Sequence, residues 1–153
     1  MISEPDPGAV AMRETRTRVH PRCVACGEGN PRGFQLRFRT QEDGSVSAEF
    51  HCRESVEGYR GVVHGGILSL LLDSAMTNCL FALGIAAMTA ELAVRFREQV
   101  MVGREATVVA RLVRRSGAGF VLEGAVIQDG RRKVTGRATF LKARDGNGFE
   151  ATP

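Results

Sequence analysis

The chain has 153 residues, of which 43% are apolar and 25% are charged. This length suits one compact domain with a hydrophobic core and is short for two domains with a linker. The balance of residue types argues against a mostly disordered or fibrous chain. The net charge of +4 is spread along the chain, which does not predict nucleic-acid binding but would suit a small anionic ligand.

Both ends of the chain are polar and show no apolar period. We therefore predict mobile tails at residues 1–18 and 145–153, on either side of a single domain at residues 19–144. The N-terminal stretch lacks the apolar region of a secretory signal. We accordingly expect a cytoplasmic protein whose four cysteines do not form a disulfide framework.

A hairpin is predicted first along the chain. Residues 33–40 and 45–50 each alternate apolar and polar side chains, and a turn at residues 42–44 separates them. Residues 64 to about 83 then form the only long helix candidate, with Gly84 where a C-terminal cap is expected. This helix is apolar almost all round, which indicates that it is covered on most sides.

The apolar stretch at residues 65–88 is long enough to cross a bilayer. It contains Asp73, however, and an aspartate at the centre of a membrane helix costs about 2.5–3.5 kcal/mol. A buried helix of a soluble protein is the better interpretation, and we expect no contact with a membrane.

The rest of the chain consists of strand patterns. They cover residues 89–98, 106–115, 120–128 and 133–143, with hairpin turns at 116–119 and 129–130. With the first hairpin they predict an α+β fold. One long central helix packs against, or is wrapped by, an antiparallel sheet of about five to six strands.

The start of the helix, His64-Gly65-Gly66, is the first candidate for chemistry. Two glycines allow close approach of a ligand, and the first N–H groups of a helix are free donors at its positive end. Such a place binds an anion or a carbonyl oxygen that is gaining negative charge. A tight strand-to-helix turn would also explain the glycines.

Asp73 is the second candidate, because an ionised carboxylate in an apolar segment is costly without a role or a partner. It is a candidate base or nucleophile, unless it faces solvent on an exposed stripe. Gly65 and Asp73 are eight residues apart, which is about 12 Å along a helix. One thioester or ester group cannot touch both residues of one chain, so we predict an obligate homodimer with two composite sites.

Three runs of the sequence, CVACGEGNPRGFQLRF, VVHGGILSLLLDSAM and MTAELAVRFREQVMVG, resemble the hotdog-fold acyl-CoA thioesterases, specifically the PaaI-like branch. The resemblance covers roughly residues 20–143. It implies the hotdog fold, in which a sheet wraps a long helix and dimers pair their sheets. It also implies hydrolysis of an acyl-CoA without a cofactor, in a homodimer or a dimer of dimers.

The family pattern also implies roles for single residues. The N–H of Gly65 would polarise the thioester carbonyl, with Gly66 beside it in substrate binding. Asp73 of the partner subunit would be the general base or a nucleophile. Thr89 would help to hold the water or the carboxylate, and His64 would shape the turn or contact the thioester.

One position departs from the family pattern. Some relatives have an asparagine where this chain has Gly58, so water positioning by that route is absent or transferred elsewhere. Coenzyme A would bring phosphates to the mouth of the site, and guanidinium groups suit phosphate oxygens. The candidate arginines, which could equally be ordinary solvated charges, are Arg95, Arg97, Arg114 and Arg115.

The leader offers an alternative site for a structural zinc ion. His20, Cys23 and Cys26 have the spacing H-x2-C-x2-C, and the predicted hairpin would return Cys52 as a fourth ligand. A Gly/Pro-rich turn that needs no metal explains the pair of cysteines as well.

Two other functions stay open at this point. One is a non-catalytic acyl-CoA binding or sensing module on the same fold. The other is a hydratase or dehydratase of acyl thioesters, which is less favoured because that chemistry usually needs a histidine base. The acyl group is not defined by the sequence, and Leu72, Met76 and Phe81 are named only as examples of side chains that would line its pocket.

Overall fold

The computed structural model describes residues 5–142. Its elements are helix α1 (Pro7–Val19), strands β1 (Arg39–Thr40) and β2 (Val46–His51), a 3-10 turn (Glu54–Val56), helix α2 (Gly65–Phe81), and strands β3 (Ala87–Phe96), β4 (Glu105–Ser116), β5 (Gly119–Gln128) and β6 (Arg131–Lys142). The strands form one antiparallel sheet in the order β1-β2-β4-β5-β6-β3. Helix α2 packs along this sheet, which confirms the predicted α+β architecture.

Helix α2 agrees closely with the predicted helix at both ends. His64 is its N-cap, and the chain leaves it through Gly84, whose φ is +70°. The amides of Gly84 and Ile85 donate to the carbonyls of Phe81 and Leu80, which is the Schellman arrangement. Among the described residues, no helix is both long and apolar enough to cross a membrane.

A pair of glycines on β5 and β6 determines how closely α2 approaches the sheet. Gly124 and Gly136 lie directly opposite each other. A Cβ atom at either position would come within 3.1–3.3 Å of the ends of Leu72 and Met76, which are fully buried. The missing side chains therefore make room for the two largest inward residues at the middle of α2.

The hairpin turns after β4 and β5 occur where the sequence predicts them. Ser116 pairs with Gly119 across the first turn. The second turn has positive φ at both Asp129 (53°) and Gly130 (73°), which is the conformation of the two-residue turn that Asp-Gly favours.

The N-terminal stretch is not the tail that the sequence predicts. Residues 7–19 form α1, which begins with Asp6 as N-cap and Pro7 in the first helical position. Asp6 accepts hydrogen bonds from the amide of Gly8 (3.1 Å) and from the hydroxyl of Thr40. Met12 is 3% exposed in the core, and α1 packs on α2. The predicted C-terminal tail, residues 145–153, lies outside the described residues.

The predicted strand at residues 33–40 is also wrong over most of its length, because only Arg39–Thr40 pair in the sheet. The amides of Phe34 and Leu36 instead donate to the carbonyls of Val24 (2.8 Å) and Ala25 (2.9 Å) in the leader. Between them Gln35 has a φ of 54°, which breaks the extended conformation.

Candidate active site

The imidazole of His64 closes the first turn of α2. Its Nδ1 accepts a hydrogen bond from the amide of Gly66 at 2.9 Å. Glycines lie on two sides of this side chain, because a Cβ at Gly58 or Gly66 would be 3.1 Å from an atom of His64. An acceptor at Nδ1 requires the proton of the neutral ring to be on Nε2.

The amide of Gly65 is left free by this arrangement. Gly65 is the first residue of α2, and its N–H has no acceptor among the described residues. Gly66 was predicted to bind substrate beside it, but its N–H is occupied by His64. One backbone donor therefore remains at the positive end of the helix.

The ring of Phe96, at the end of β3, lies next to Gly65. A Cβ added at Gly65 would be 3.3 Å from Cζ of Phe96, whose side chain is otherwise largely exposed. The sequence prediction gave this residue no role. Its place at the end of an alternating strand that follows the helix is the signal that could have drawn attention to it.

Asp73 and Thr89 form the second part of the site. The hydroxyl of Thr89 donates to Oδ1 of Asp73 at 2.6 Å, as the sequence resemblance predicted for a residue that holds the carboxylate. The other carboxylate oxygen, Oδ2, has no donor among the described residues. Asp73 is half-buried, and Thr89 is exposed near the start of β3. The carboxylate thus keeps one oxygen free for a ligand or water.

The two parts of the site lie at opposite ends of β3. Gly65 is beside Phe96 at the end of the strand, whereas Asp73 is beside Thr89 near its start. Gly65 and Asp73 are eight residues apart on α2, which corresponds to about 12 Å. One protomer therefore does not bring Gly65 and Asp73 together.

Strand β3 is an edge of the sheet, paired with β6 on one side. Most of its residues are exposed, including the large apolar side chains of Met88 (59%) and Phe96 (54%). A ten-residue edge with exposed apolar side chains is the kind of edge that proteins normally cover or pair.

The four predicted phosphate ligands do not share one face, since Arg114 and Arg115 are consecutive on β4, where they lie opposite Val121 and Phe120. Arg95 and Arg97 alternate with Val94, which packs against the core, so they lie on the face opposite α2. There they line a groove of about 640 Å³. Arg115 lies directly opposite the buried Phe120, in the row of neighbours that continues through Phe140 to Thr89.

The side chains suggested for an acyl pocket belong to the core. Leu72 and Met76 are fully buried and Phe81 is 2% exposed. Leu72 and Met76 rest on the glycine pair of β5 and β6. Within the part of the chain that the structure describes, these side chains therefore fill the core and do not line an open cleft.

Three of the four predicted zinc ligands come together. The ligand atoms of His20, Cys23 and Cys26 all lie within 4.8 Å of one another. Cys52 is not among them, and its thiol lies instead near the carbonyl of Phe50 and the side-chain amide of Gln128, each at 3.9 Å. Burial raises the pKa of the Cys52 thiol to about 11.

Comparison with known proteins defines the family. The family model of the thioesterase superfamily matches residues 60–135, about half of the chain. No curated protein sequence matches the chain.

Three solved structures illustrate the similarity. A protein of the thioesterase superfamily has a TM-score of 0.75 and 26% identity, over 80% of this chain and 64% of its own length. A phenylacetic acid degradation-related protein of Ralstonia eutropha has a TM-score of 0.65 and 25% identity, over 71% and 85%. A hypothetical thioesterase of Streptococcus pneumoniae, solved with coenzyme A, has a TM-score of 0.66 and 20% identity, over 71% and 88%.

The match to the family model includes the start of α2, Asp73 and Thr89, and the similar structures share the fold of a sheet around a long helix. The chain therefore belongs to the thioesterase superfamily and has the hotdog fold, as the resemblance in its sequence implied. The similarity to a phenylacetic acid degradation-related protein agrees with the PaaI-like branch.

Proposed function

We propose that the protein hydrolyses the thioester bond of an acyl-CoA, giving a carboxylate and CoA, in a homodimer with two composite sites. The observation that carries the proposal is the placement of a free helix N-terminal amide and a Thr89-held carboxylate at opposite ends of β3, an edge strand whose outer side has no partner strand among the described residues. Coenzyme A in the similar structure from Streptococcus pneumoniae supports the choice of substrate class.

Pairing of β3 with its own copy would complete the site. If two copies of an edge strand pair antiparallel about a two-fold axis, the start of one strand lies beside the end of the other. The start carries Thr89 and Asp73, and the end carries Phe96 and Gly65. Each dimer would then contain two sites, and each site would take its amide and its carboxylate from different subunits.

The proposed reaction begins with the thioester carbonyl oxygen at the N–H of Gly65. Asp73 of the partner subunit takes a proton from a water molecule as the water oxygen attacks the carbonyl carbon. The resulting oxyanion is stabilised by the Gly65 amide and the positive end of the helix. The C–S bond then breaks, and the CoA thiolate leaves and receives the proton.

Thr89 is proposed as a positioning residue. Its hydroxyl fixes Oδ1 of Asp73, so that Oδ2 is the oxygen that meets the water. Direct attack by Asp73 would instead expel CoA and form an anhydride, and attack of water at the Asp73 carbonyl carbon would then place a water oxygen in the Asp73 side chain. After a single turnover in ¹⁸O-labelled water, label in the peptide with Asp73, read by mass spectrometry, would establish this anhydride route.

His64 is not a suitable base in this site. Its Nδ1 accepts the Gly66 amide, so proton uptake at that atom would break the helix cap. This contact disfavours the hydratase alternative, which needs a histidine base. For the CoA phosphates we propose Arg115, because it shares a face and a sheet end with Thr89.

The experiment measures thiol release from a panel of acyl-CoAs by the wild type and by Asp73→Asn, which keeps the size of the side chain. We expect release by the wild type and a loss of at least about a hundredfold in the variant. Tight acyl-CoA binding without thiol release would instead establish a non-catalytic binding module. Full activity of Asp73→Asn would overturn the mechanism.

Subunit mixing tests the composite site separately. Asp73→Asn and Gly65→Pro each remove one half of every site in a homodimer. Random reassociation of equal amounts makes half of the dimers mixed, and each mixed dimer has one intact site, so about a quarter of wild-type activity returns. If both halves came from one subunit, mixing would restore none.

A further inference from the structure

We propose that His20, Cys23 and Cys26 form a zinc site that fastens α1 and the leader to α2. Their ligand atoms lie within 4.8 Å of one another. A tetrahedral Zn²⁺ with sulfur at about 2.3 Å and nitrogen at about 2.0 Å places its ligand atoms about 3.5–3.8 Å apart. The three side chains need to move inward by no more than about 1 Å to meet that geometry.

The backbone holds the cysteine loop in place before any metal binds. The amide of Gly27 donates to the carbonyl of Cys23 at 2.9 Å, and the amide of Ala25 donates to the Cys23 sulfur at 3.4 Å. Gly27 is required for this turn, because a Cβ there would be 2.3 Å from the amide nitrogen of Cys23. A loop fixed in this way loses little entropy when it binds a metal.

His20 is half-buried, and one of its ring nitrogens lies inside without a partner in the described part of the chain. Nδ1 of His20 has no hydrogen-bond partner among the described residues and is shielded from solvent. The ring meets Phe81 of α2 edge-on, with the ring centroids 5.4 Å apart. A buried polar atom without a partner is destabilising, and a metal in the cluster would supply the missing partner.

Polar residues of α1 and α2 lie next to the Cys26 thiol. The amide nitrogen of Asn78, on α2, donates to the Cys26 sulfur at 3.3 Å, and Asn78 is fully buried. Its oxygen accepts from Arg16 of α1 at 3.4 Å. The buried Arg16 has one carboxylate in reach among the described residues, that of Glu28 at 3.5 Å, and Glu28 is largely exposed. Asn78 thus links Arg16 to the Cys26 sulfur and would hold a zinc-bound thiolate by a hydrogen bond from outside the cluster.

The described residues provide three ligands, since Cys52 lies elsewhere. The fourth position is therefore left to water. The ion would join the end of α1 to the leader, where Cys26 contacts Asn78 and His20 contacts Phe81 of α2. Its role would be to hold the N-terminal helix on the domain, independently of thioester hydrolysis.

The test uses the full chain, purified without a histidine tag from cells grown with zinc. Elemental analysis should find about one zinc per chain in the wild type, and less than about 0.2 in Cys23→Ser and Cys26→Ser. Cys52→Ala and Cys79→Ala are the matched controls, because both remove a buried thiol outside the cluster, and they should keep the metal.

A second measurement needs no variant. In the wild type, zinc should protect Cys23 and Cys26 from alkylation until a chelator is added, as read by mass spectrometry of their peptide. Addition of the chelator should also lower Tm. The proposal fails if the two thiols are alkylated equally with and without chelator, if they are found as a disulfide, or if Cys23→Ser keeps a full complement of zinc.

Discussion

Replacing Gly65 with proline removes the single backbone N–H on which the proposed mechanism depends. Proline is well tolerated in the first position of a helix, which Gly65 occupies in α2. The preceding residue, His64, has φ −60° and ψ 133°, which is the extended conformation that a residue before proline prefers. The backbone should therefore accept the change without moving.

We expect a large decrease in kcat that results from loss of the Gly65 N–H donor. Loss of one oxyanion donor typically lowers kcat by about 10²–10³, or about 2.7–4 kcal/mol. Gly65→Ala is the matched control, because it keeps the N–H. Its Cβ has the same contact with Phe96, 3.3 Å from a largely exposed ring that has room to turn away. We expect its kcat to fall by less than about tenfold.

The assay follows thiol release from an acyl-CoA with a chromogenic thiol reagent, and thermal unfolding verifies that both variants fold. The reasoning is refuted if Gly65→Pro and Gly65→Ala have kcat values within a factor of about three of each other at similar Tm. In that case the Gly65 amide does not contact the developing oxyanion.

Three further substitutions test single contacts. Thr89→Val should lower kcat by about tenfold to a hundredfold through loss of a hydrogen bond to the Asp73 carboxylate, and Thr89→Ser should restore it. Gly124→Ala should lower the free energy of unfolding by about 1–3 kcal/mol in denaturant titrations, because its Cβ would be 2.8 Å from a backbone carbonyl oxygen. Met12→Ala should cost about 2–3 kcal/mol because it removes a buried side chain of α1, whereas the exposed Arg13→Ala should change stability by less than about 0.5 kcal/mol. Equal effects at Met12 and Arg13 would show that α1 does not pack on the domain.

Helix α1 shows why the sequence prediction failed at the N-terminus. Its inward positions follow helical spacing at Met12, Thr15 and Arg16, but two of these three buried residues are polar. An apolar period therefore does not appear, although Asp6 followed by Pro7 is a typical helix start. Arg16 faces the buried side chain of Asn78 on α2, a tertiary contact that no local pattern reveals.

The stretch before β1 shows a different limit. Its alternating pattern correctly identifies Leu36 and Phe38 as buried. The backbone amides of Phe34 and Leu36 nevertheless pair with the leader rather than with β2. Alternation reports which side chains are buried, but it does not report which backbone groups pair.

In the candidate site, helix geometry alone predicts that Gly65 and Asp73 lie too far apart for one substrate, since a helix has a fixed rise per residue. Regular geometry does not, however, predict on which face of the sheet the arginines of β4 lie. A change of register between Leu112 and Arg114 alters which residues share a face, so alternation from the sequence cannot place Arg115. Pairing of Thr89 with Asp73 depends on tertiary structure, and only the family resemblance indicated it.

The close packing of α2 on Gly124 and Gly136 bears on how substrate specificity could be engineered. Because Leu72 and Met76 occupy the space above the two glycines, a longer acyl chain cannot enter this part of the core without displacing them. Selectivity for chain length would then depend on surface residues along β3, such as Met88 and Phe96. Specificity and folding stability would reside in different sets of side chains, so each could be altered without sacrificing the other.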